Sequence, residues 1–458
     1  MKTLSEHLNP LVTQIISAQV GANIRVLGEK ICKYKHCQIF GLSVDKNEYM
    51  RYLTMLDGSL KSVVDVAKLN ISLQQAAIPW LAERDIVVVI HDCSSIRKPY
   101  SQKLEGLGKV KDLENDLING FDTFNSVLVD LKRKSIQLLA TTPFSNGDTA
   151  FVSQKERYLY ANGQIKCADR RAEIAAHDEA KRSYNLKSLV QAQIKTCHAA
   201  IRAANPKALI IDLYDRGFDD ADLFELETAE HTSFVVRGKN NRNNTVTTST
   251  DLGIEAKIEQ KLAKQSFNNE FERDYQKVSF KGKVYQDAKA VFAYTSICIN
   301  DKWYSAVRVT FFDRKGGAVF KNPMLLITNL EVNSDALALL VYELYLQRSA
   351  IEGVFRFCKQ ELGWESPRLG DWEAMKNLLA FVFFLCAYFY EIKQVIVEDP
   401  TCQWLANLGN GKGDVSLHFL LLGIAKIANF IEIQRLIDNK TISMDDINEA
   451  KRIFCHDN

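Results

Sequence analysis

Long, strongly apolar runs are scarce in this chain. The most apolar run, Leu378 to Tyr390, is shorter than a span and is followed by Glu391 and Lys393. It predicts a buried core helix, and no membrane partner is expected. The opening residues, MKTLSEHLNP, lack an apolar h-region, so no signal peptide is expected there. Paired cysteines are missing too. The ten cysteines are scattered, with no Cys-x2-Cys. Cys32 and Cys37 flank His36, but no second ligand pair follows, which argues against a zinc site. Scattered thiols suit a reducing cytoplasm. The net charge is only +2. It does not announce a nucleic-acid binder, so any such surface must come from local clustering. Gly411-Lys412-Gly413 is a glycine-flanked loop, but the GxxxxGK[ST] pattern is absent, and no nucleotide cofactor is expected. Internal repeats and low-complexity tracts are also missing.

What is present is a soluble globular composition, 47% apolar and 25% charged. At 458 residues the chain predicts about three modules. Its centre of interest is Tyr342 to Trp364, YELYLQRSAIEGVFRFCKQELGW. Tyr345, Arg348, Glu352 and Lys359 share one stripe of a helix there, since at about 100° per residue they fall within roughly 60°. Leu346, Ile351, Val354, Phe355 and Leu362 offer apolar surface for packing. A carboxylate held among cations on a rigid element suits binding of a metal and a phosphate together. Taken alone, the stripe is equally a solvated face with salt bridges at helical spacing.

The chain to about Arg84 reads as helical, with apolar residues three to four apart through Leu11, Val12, Ile15 and Ile16, through Tyr49 to Leu56, and through Leu60, Val63 and Val64. Arg25, Lys30, Lys33, Lys35 and His36 form a basic cluster, which is either a phosphate-contacting surface or an ordinary solvated face. Residues 85–95, DIVVVIHDCSS, predict a strand buried on both faces with Asp92 at its carboxyl end. Asp92 there is placed for metal binding, or caps the next turn. A basic loop follows (Arg97, Lys98, Lys103, Lys109, Lys111). Phe124–Val129 and Ile136–Thr141 predict a hairpin, with Lys132, Arg133 and Lys134 at its turn. Residues 145–175 are polar and turn-rich, and a long helix is expected over about Ala180–Ala204, stopped by Asn205-Pro206. Leu209, Ile210 and Ile211 form a strand closed by Asp215-Arg216, with Asp212 still inside it. SFVVRGKNNR, from Ser233, predicts another strand with a basic exit at Arg237, Lys239 and Arg242. Runs at Val278–Phe280, Val291–Ile299, Trp303–Phe312 and Met324–Leu330 predict a β-rich insertion. Asn333-Ser334-Asp335 starts a helix before the stripe, and Ser443 with Asp446 makes a capping box near the end.

Tyr-x2-Arg-x3-Glu-x6-Lys, together with Asp92 at its strand, Asp215-Arg216 and FVVR in this order, resembles the bacterial insertion-sequence DDE transposases that include the transposon-five transposase. The resemblance runs from about Asp85 to Arg368. It implies an α/β fold with a ribonuclease-H-like catalytic core over 85–242 and 331–398, and a β-strand insertion domain over 243–330. A helical DNA-binding segment over 1–84 and a helical segment over 399–458 would flank these. It implies metal-binding, catalytic Asp92, Asp215 and Glu352, with Asp212 as a rival to Asp215. It implies phosphate or DNA contacts from Tyr345, Arg348, Lys359, Arg237, Lys239 and Arg242. The cofactor implied is Mg²⁺ or Mn²⁺, two ions per site, used to cut double-stranded DNA at transposon ends and join the 3′-hydroxyl to target DNA. A homodimer on DNA in a bacterial cytoplasm is implied as well. The sequence departs from relatives that stack a flipped base on tryptophan. Asn322-Pro323-Met324 and Ser349 stand at the two tryptophan positions, leaving Phe320 or Phe355 as substitutes. A catalytically silent DNA-binding protein and a nuclease without strand transfer are the alternatives.

Overall fold

The computed structural model describes residues 4–14, 18–59, 64–131, 135–179, 184–239, 241–249, 255–264, 266–280, 283–398, 403–410 and 415–448. Five helices lead: α1 (Leu4–Thr13), α2 (Ala18–Tyr34), α3 (Ile39–Leu42), α4 (Lys46–Leu56) and α5 (Val66–Ala82). Strands β1 (Ile86–Arg97), β2 (Gly108–Lys111), β3 (Leu117–Val129) and β4 (Ile136–Phe144) follow. Then come α6 (Gln154–Ala161), α7 (Ala168–Glu179), α8 (Leu186–Ala204), β5 (Leu209–Tyr214), α9 (Ala221–Ala229) and β6 (Ser233–Arg237). The β-rich stretch supplies β7 (Asn243–Ser249), β8 (Glu255–Lys261), β9 (Asn269–Phe280), β10 (Lys283–Ile299), β11 (Lys302–Phe312) and β12 (Met324–Thr328). The chain continues with α10 (Asp335–Leu346), α11 (Ala350–Gln360), α12 (Trp372–Glu398), α13 (Trp404–Leu408) and α14 (Leu417–Asp438).

One mixed sheet organises these elements in the order β2-β3-β1-β5-β6-β12-β11-β10-β9, with β4 also on β3, while β7 and β8 pair separately. β1 is an inner strand, antiparallel to β3 and parallel to β5. Val87 to Ile90 are buried, as their unbroken β-branched run requires of a strand covered on both faces. The expected insertion does not stand apart from this sheet. β12 pairs antiparallel with β6, and β11, β10 and β9 extend the sheet outward.

The apolar run at Leu378–Tyr390 is the middle of α12. Among the described residues α12 is the one helix long and apolar enough to cross a membrane, and most of it is buried inside the protein. Phe381, Phe383, Phe384 and Phe389 are fully buried, each worth about 1.5–3 kcal/mol of transfer free energy. α5, β4 and α11 pack against it, and the buried Trp364 ties in by donating from Nε1 to the Leu379 carbonyl at 2.9 Å. Gly363 ends the α11 segment with φ +69°, where a Cβ would come within 2.8 Å of the His36 backbone. Its carbonyl accepts from Cys37 Sγ at 3.0 Å, so the N-terminal helices clasp the end of α11. Ser334 caps α10 as its sequence predicts, accepting from Leu337 N. Ser443 and Asp446 exchange the two bonds of a capping box. Residues 145–179, polar in sequence, contain α6 and α7, with a capping box at Ser153 and Glu156 opening α6. Leu60, Val63, Ile15, Ile16, the turn at 132–134 and Lys412 lie outside the described residues.

Candidate active site

Asp92 is not at the end of its strand, contrary to expectation. β1 continues pairing with β3 as far as Arg97. What ends at His91 is the parallel pairing with β5, whose last partner is Tyr214. Asp92 and Asp215 are therefore the next residues of two adjacent strands, one step past their shared ladder. Side chains alternate along a strand, so both aspartates share the sheet face of Ile90 and Leu213. By the same parity Asp212 faces the other way. Its carboxylate is fully buried and accepts from His91 Nε2 and His198 Nε2, both at 2.8 Å.

The signature stripe crosses this face in two pieces. α10 carries Tyr345 and α11 carries Glu352 and Lys359, with a 3-10 turn, Gln347–Ser349, between them. The single expected helix is thus tightened at Arg348, although Leu346 and Ala350 keep right-handed helical angles. The turn aims the guanidinium across the sheet. Arg348 Nη1 donates to Asp92 Oδ2 at 2.7 Å and Nη2 to Glu352 Oε1 at 2.5 Å. Burial pushes the Asp92 carboxyl up to about 6; Arg348 opposes the rise, while Asp215 and Glu352 add to it. The three carboxylates thus lie within one another's field around one cation. For Arg348 itself burial acts to lower the pKa, and the field of Asp92, Tyr345, Asp215 and Glu352 raises it on balance.

Tyr345 is buried, and burial raises its pKa; Arg348 and Arg237 lie beside it, with Arg237 hydrogen-bonding its side chain. Arg237 ends β6, so the structure brings it to the site. Lys359 sits farther along β1, where its Nζ donates to the Ser95 carbonyl at 2.7 Å and stands 3.8 Å from Glu365. Burial lowers its pKa, against the pull of Glu365. Lys239 and Arg242 are engaged elsewhere. Lys239 Nζ donates to the Asp219 carbonyl at 2.9 Å, and Arg242 Nε donates to Asp219 Oδ1 at 2.8 Å. In the N-terminal basic cluster, Lys30 pairs with Glu48, Lys33 with Glu432 and Lys35 with Glu361. Phe355 is buried against Trp364, so its ring is not presented as a stacking platform, while Phe320 is half-buried and meets Phe311 edge to face.

Several contributors have no local sequence signal. Glu365 receives both Arg97 Nε and Nη2, at 3.0 and 3.1 Å. Lys98, expected in an exposed basic loop, is buried and donates to the carbonyls of Glu365 and Pro367. These bonds clip the far half of β1 to the segment after α11. A cleft of about 500 Å³ opens beside Asp92 and Asp215, walled by Phe151, Leu186, Val190 and Phe218.

The donor set fits a hard divalent cation. Three carboxylates offer hard oxygen atoms to one face of the sheet, with Asp215 and Glu352 both in the field of Asp92. A second group of potential ligands, His198, Asp212 and Glu227, lies on the opposite sheet face with ligand atoms within 4.8 Å of one another. All three are fully buried, and the Asp212 oxygens are taken by histidine nitrogens.

A search of curated proteins finds no match. A family model described as the transposase DDE domain matches residues 127–389, more than half of the chain. The match takes in Asp215 and Glu352 and begins beyond Asp92. That domain has a ribonuclease-H-like core and acts on DNA by metal-dependent cleavage, in keeping with a mixed sheet whose central parallel strands deliver two aspartates to one face. The chain belongs to the DDE transposases.

Proposed function

We propose that this protein cuts DNA at the ends of an insertion sequence and joins the freed 3′-hydroxyl to target DNA. The observation that carries this reading is the meeting of Asp92, Asp215 and Glu352 around Arg348. Asp92, Asp215 and Glu352 are the proposed ligands of two Mg²⁺ or Mn²⁺ ions. When bound, such ions supply activation of water and then of the 3′-hydroxyl. The residues themselves orient the DNA. With cations held by those carboxylates, Arg348 would be placed to grip a phosphate with its two-pronged guanidinium. Lys359 holds a neighbouring phosphate as a point charge, and Tyr345 hydrogen-bonds one near the cut. Arg237 supports Tyr345 from β6. Lys239 and Arg242 serve as backbone contacts at the edge of the site, oriented by Asp219. The tyrosine, arginine, glutamate and lysine together constitute the signature of transposon-five-like enzymes.

The domain plan follows: a DNA-binding segment over 1–84, a catalytic unit from 85–242 and 331–398, an insertion over 243–330 and a helical end over 399–458. Paired transposon ends call for a homodimer on DNA, in a bacterial cytoplasm. The test mixes purified protein, Mg²⁺ and DNA bearing the element's ends. Strand-transfer products support the proposal. Nicks alone would reduce it to a nuclease, and mobility shifts alone to a silent DNA-binding protein.

A further inference from the structure

The sheet face opposite Asp92 and Asp215 should be apolar, since α8 covers it. Instead it carries a line of hydrogen-bonded polar side chains. Thr142 Oγ1 on β4 donates to Gln193 Oε1 on α8 at 2.6 Å. Gln193 Nε2 donates to Ser126 Oγ on β3 at 2.7 Å. Ser126 Oγ lies 2.8 Å from His91 Nδ1 on β1. His91 Nε2 reaches Asp212 Oδ1 on β5 at 2.8 Å, and His198 Nε2 reaches Oδ2 at 2.8 Å. His91, Ser126, Asp212 and His198 are wholly buried. An unpaired polar atom in such a line is costly, and among these six side chains His198 Nδ1 is the atom without a hydrogen-bond partner among the described residues.

The bonds have a direction. A carboxylate only accepts, so each histidine presents a proton from Nε2 to Asp212. With His91 neutral, Nδ1 then accepts from Ser126, whose own oxygen accepts from Gln193. The ring is fixed in the other dimension by stacking, between Phe124 at 5.8 Å and 12° and Tyr214 at 5.2 Å and 14°.

We propose that His91 and Asp212 are positioning residues that set the spacing of the Asp92 and Asp215 carboxylates. The main-chain ladder between β1 and β5 stops at His91 and Tyr214. One step later two like-charged side chains push the strands apart. The His91–Asp212 bond is a side-chain bridge between those same strands at the end of the ladder. It lies on the far face and touches neither substrate nor metal. The inference rests on the reading of Asp92 and Asp215 as metal ligands.

The test is Mn²⁺ binding to the full-length protein by calorimetry, with imidazole tautomers read by ¹⁵N NMR and melting followed separately. His91→Phe keeps the ring stack and cuts the bridge, while Ser126 retains Gln193 and Asp212 retains His198. Its Mn²⁺ affinity should fall about ten-fold or more as the two carboxylates lose their fixed spacing, while DNA binding in EDTA holds. Asp212→Asn should keep the bridge. His198 Nδ1 has no hydrogen-bond partner among the described residues. That ring can therefore move its proton there and accept from the new amide, while His91 still donates to Oδ1. This variant should bind Mn²⁺ within a few-fold of wild type. Ser126→Ala is a milder cut should His91→Phe fold poorly, and should weaken Mn²⁺ several-fold. Wild-type affinity in His91→Phe or Ser126→Ala, an Asp212→Asn defect as large as that of His91→Phe, or a His91 proton on Nδ1 would each overturn the proposal. Wild-type protein that takes up no Mn²⁺ would contradict the metal reading itself, and the proposal with it.

Discussion

Arg348→Ala should shift the pH profile of metal binding rather than abolish binding. Arg348 is the cation that opposes the rise of the Asp92 pKa, from 2.7 Å away. An adjacent arginine typically holds an aspartate down by about 1–3 units. Without it, Asp92 moves from about 6 to roughly 7–9. At pH 7 the wild-type carboxyl is about nine-tenths ionised, and the variant's half ionised at most. Since a ligand carboxylate must be deprotonated, the midpoint of Mn²⁺ binding against pH moves up by the same interval. Well above pH 9 the order reverses, because the variant has no guanidinium competing for the same oxygens. Arg348→Lys should fall between the two, as one ammonium cannot span both Asp92 and Glu352. Calorimetric Mn²⁺ titrations from pH 5.5 to 9.5 on the three proteins measure this. Coincident midpoints, or a midpoint shifted downward in Arg348→Ala, would refute the reasoning.

Asp92→Asn should stabilise the metal-free protein, but only at higher pH. The folded pKa is raised from 3.8 to about 6. Stability from this group is therefore full below about pH 4 and is lost as pH rises through 6, to the extent of about 3 kcal/mol. Melts should separate the variant from wild type at pH 8 and superimpose them at pH 4, and Mn²⁺ should raise the melting temperature of wild type alone. Lys359→Ala should lower cleavage rates by several kcal/mol of transition-state stabilisation if it holds a phosphate. A change confined to melting would leave it as a strap on the Ser95 carbonyl. DNA affinity should fall steeply with salt despite the net charge of +2, because phosphate contacts release counterions; a slope near zero in binding isotherms would count against DNA contact by local cation clusters.

Much of the site was legible because it follows local rules. An unbroken β-branched run marks β1 as an inner strand, and Asp215 follows a short apolar strand. Asp212 read as the weaker rival because it is still inside that strand, and the structure adds parity to this. Asp212 and Asp215 are three residues apart, so they leave a strand on opposite faces. Long-range register was not legible. Nothing near Arg348 says that its partner is Asp92, 256 residues away in sequence. Nothing in the β-rich stretch says that β12 will pair with β6 and continue the main sheet. The tightened turn at Gln347–Ser349 is hidden for a different reason, since a single 3-10 turn within a helix is too short to change its apolar periodicity. Basic residues misled most. Lys98 and Lys33 read as members of basic surface clusters, yet each has a fixed partner within the protein. Charge counts carry no information about pairing.

The most direct test of the central claim replaces one proposed ligand oxygen by sulfur. Asp215→Cys puts a soft thiolate where Mg²⁺ requires hard oxygen, and Mn²⁺ tolerates sulfur better. Cleavage of DNA bearing the element's ends is measured with each ion. The account predicts that the variant is inactive in Mg²⁺ and regains cleavage in Mn²⁺, with DNA binding unchanged. Cleavage at the wild-type rate in Mg²⁺ would show that Asp215 holds no metal and would contradict the site described here.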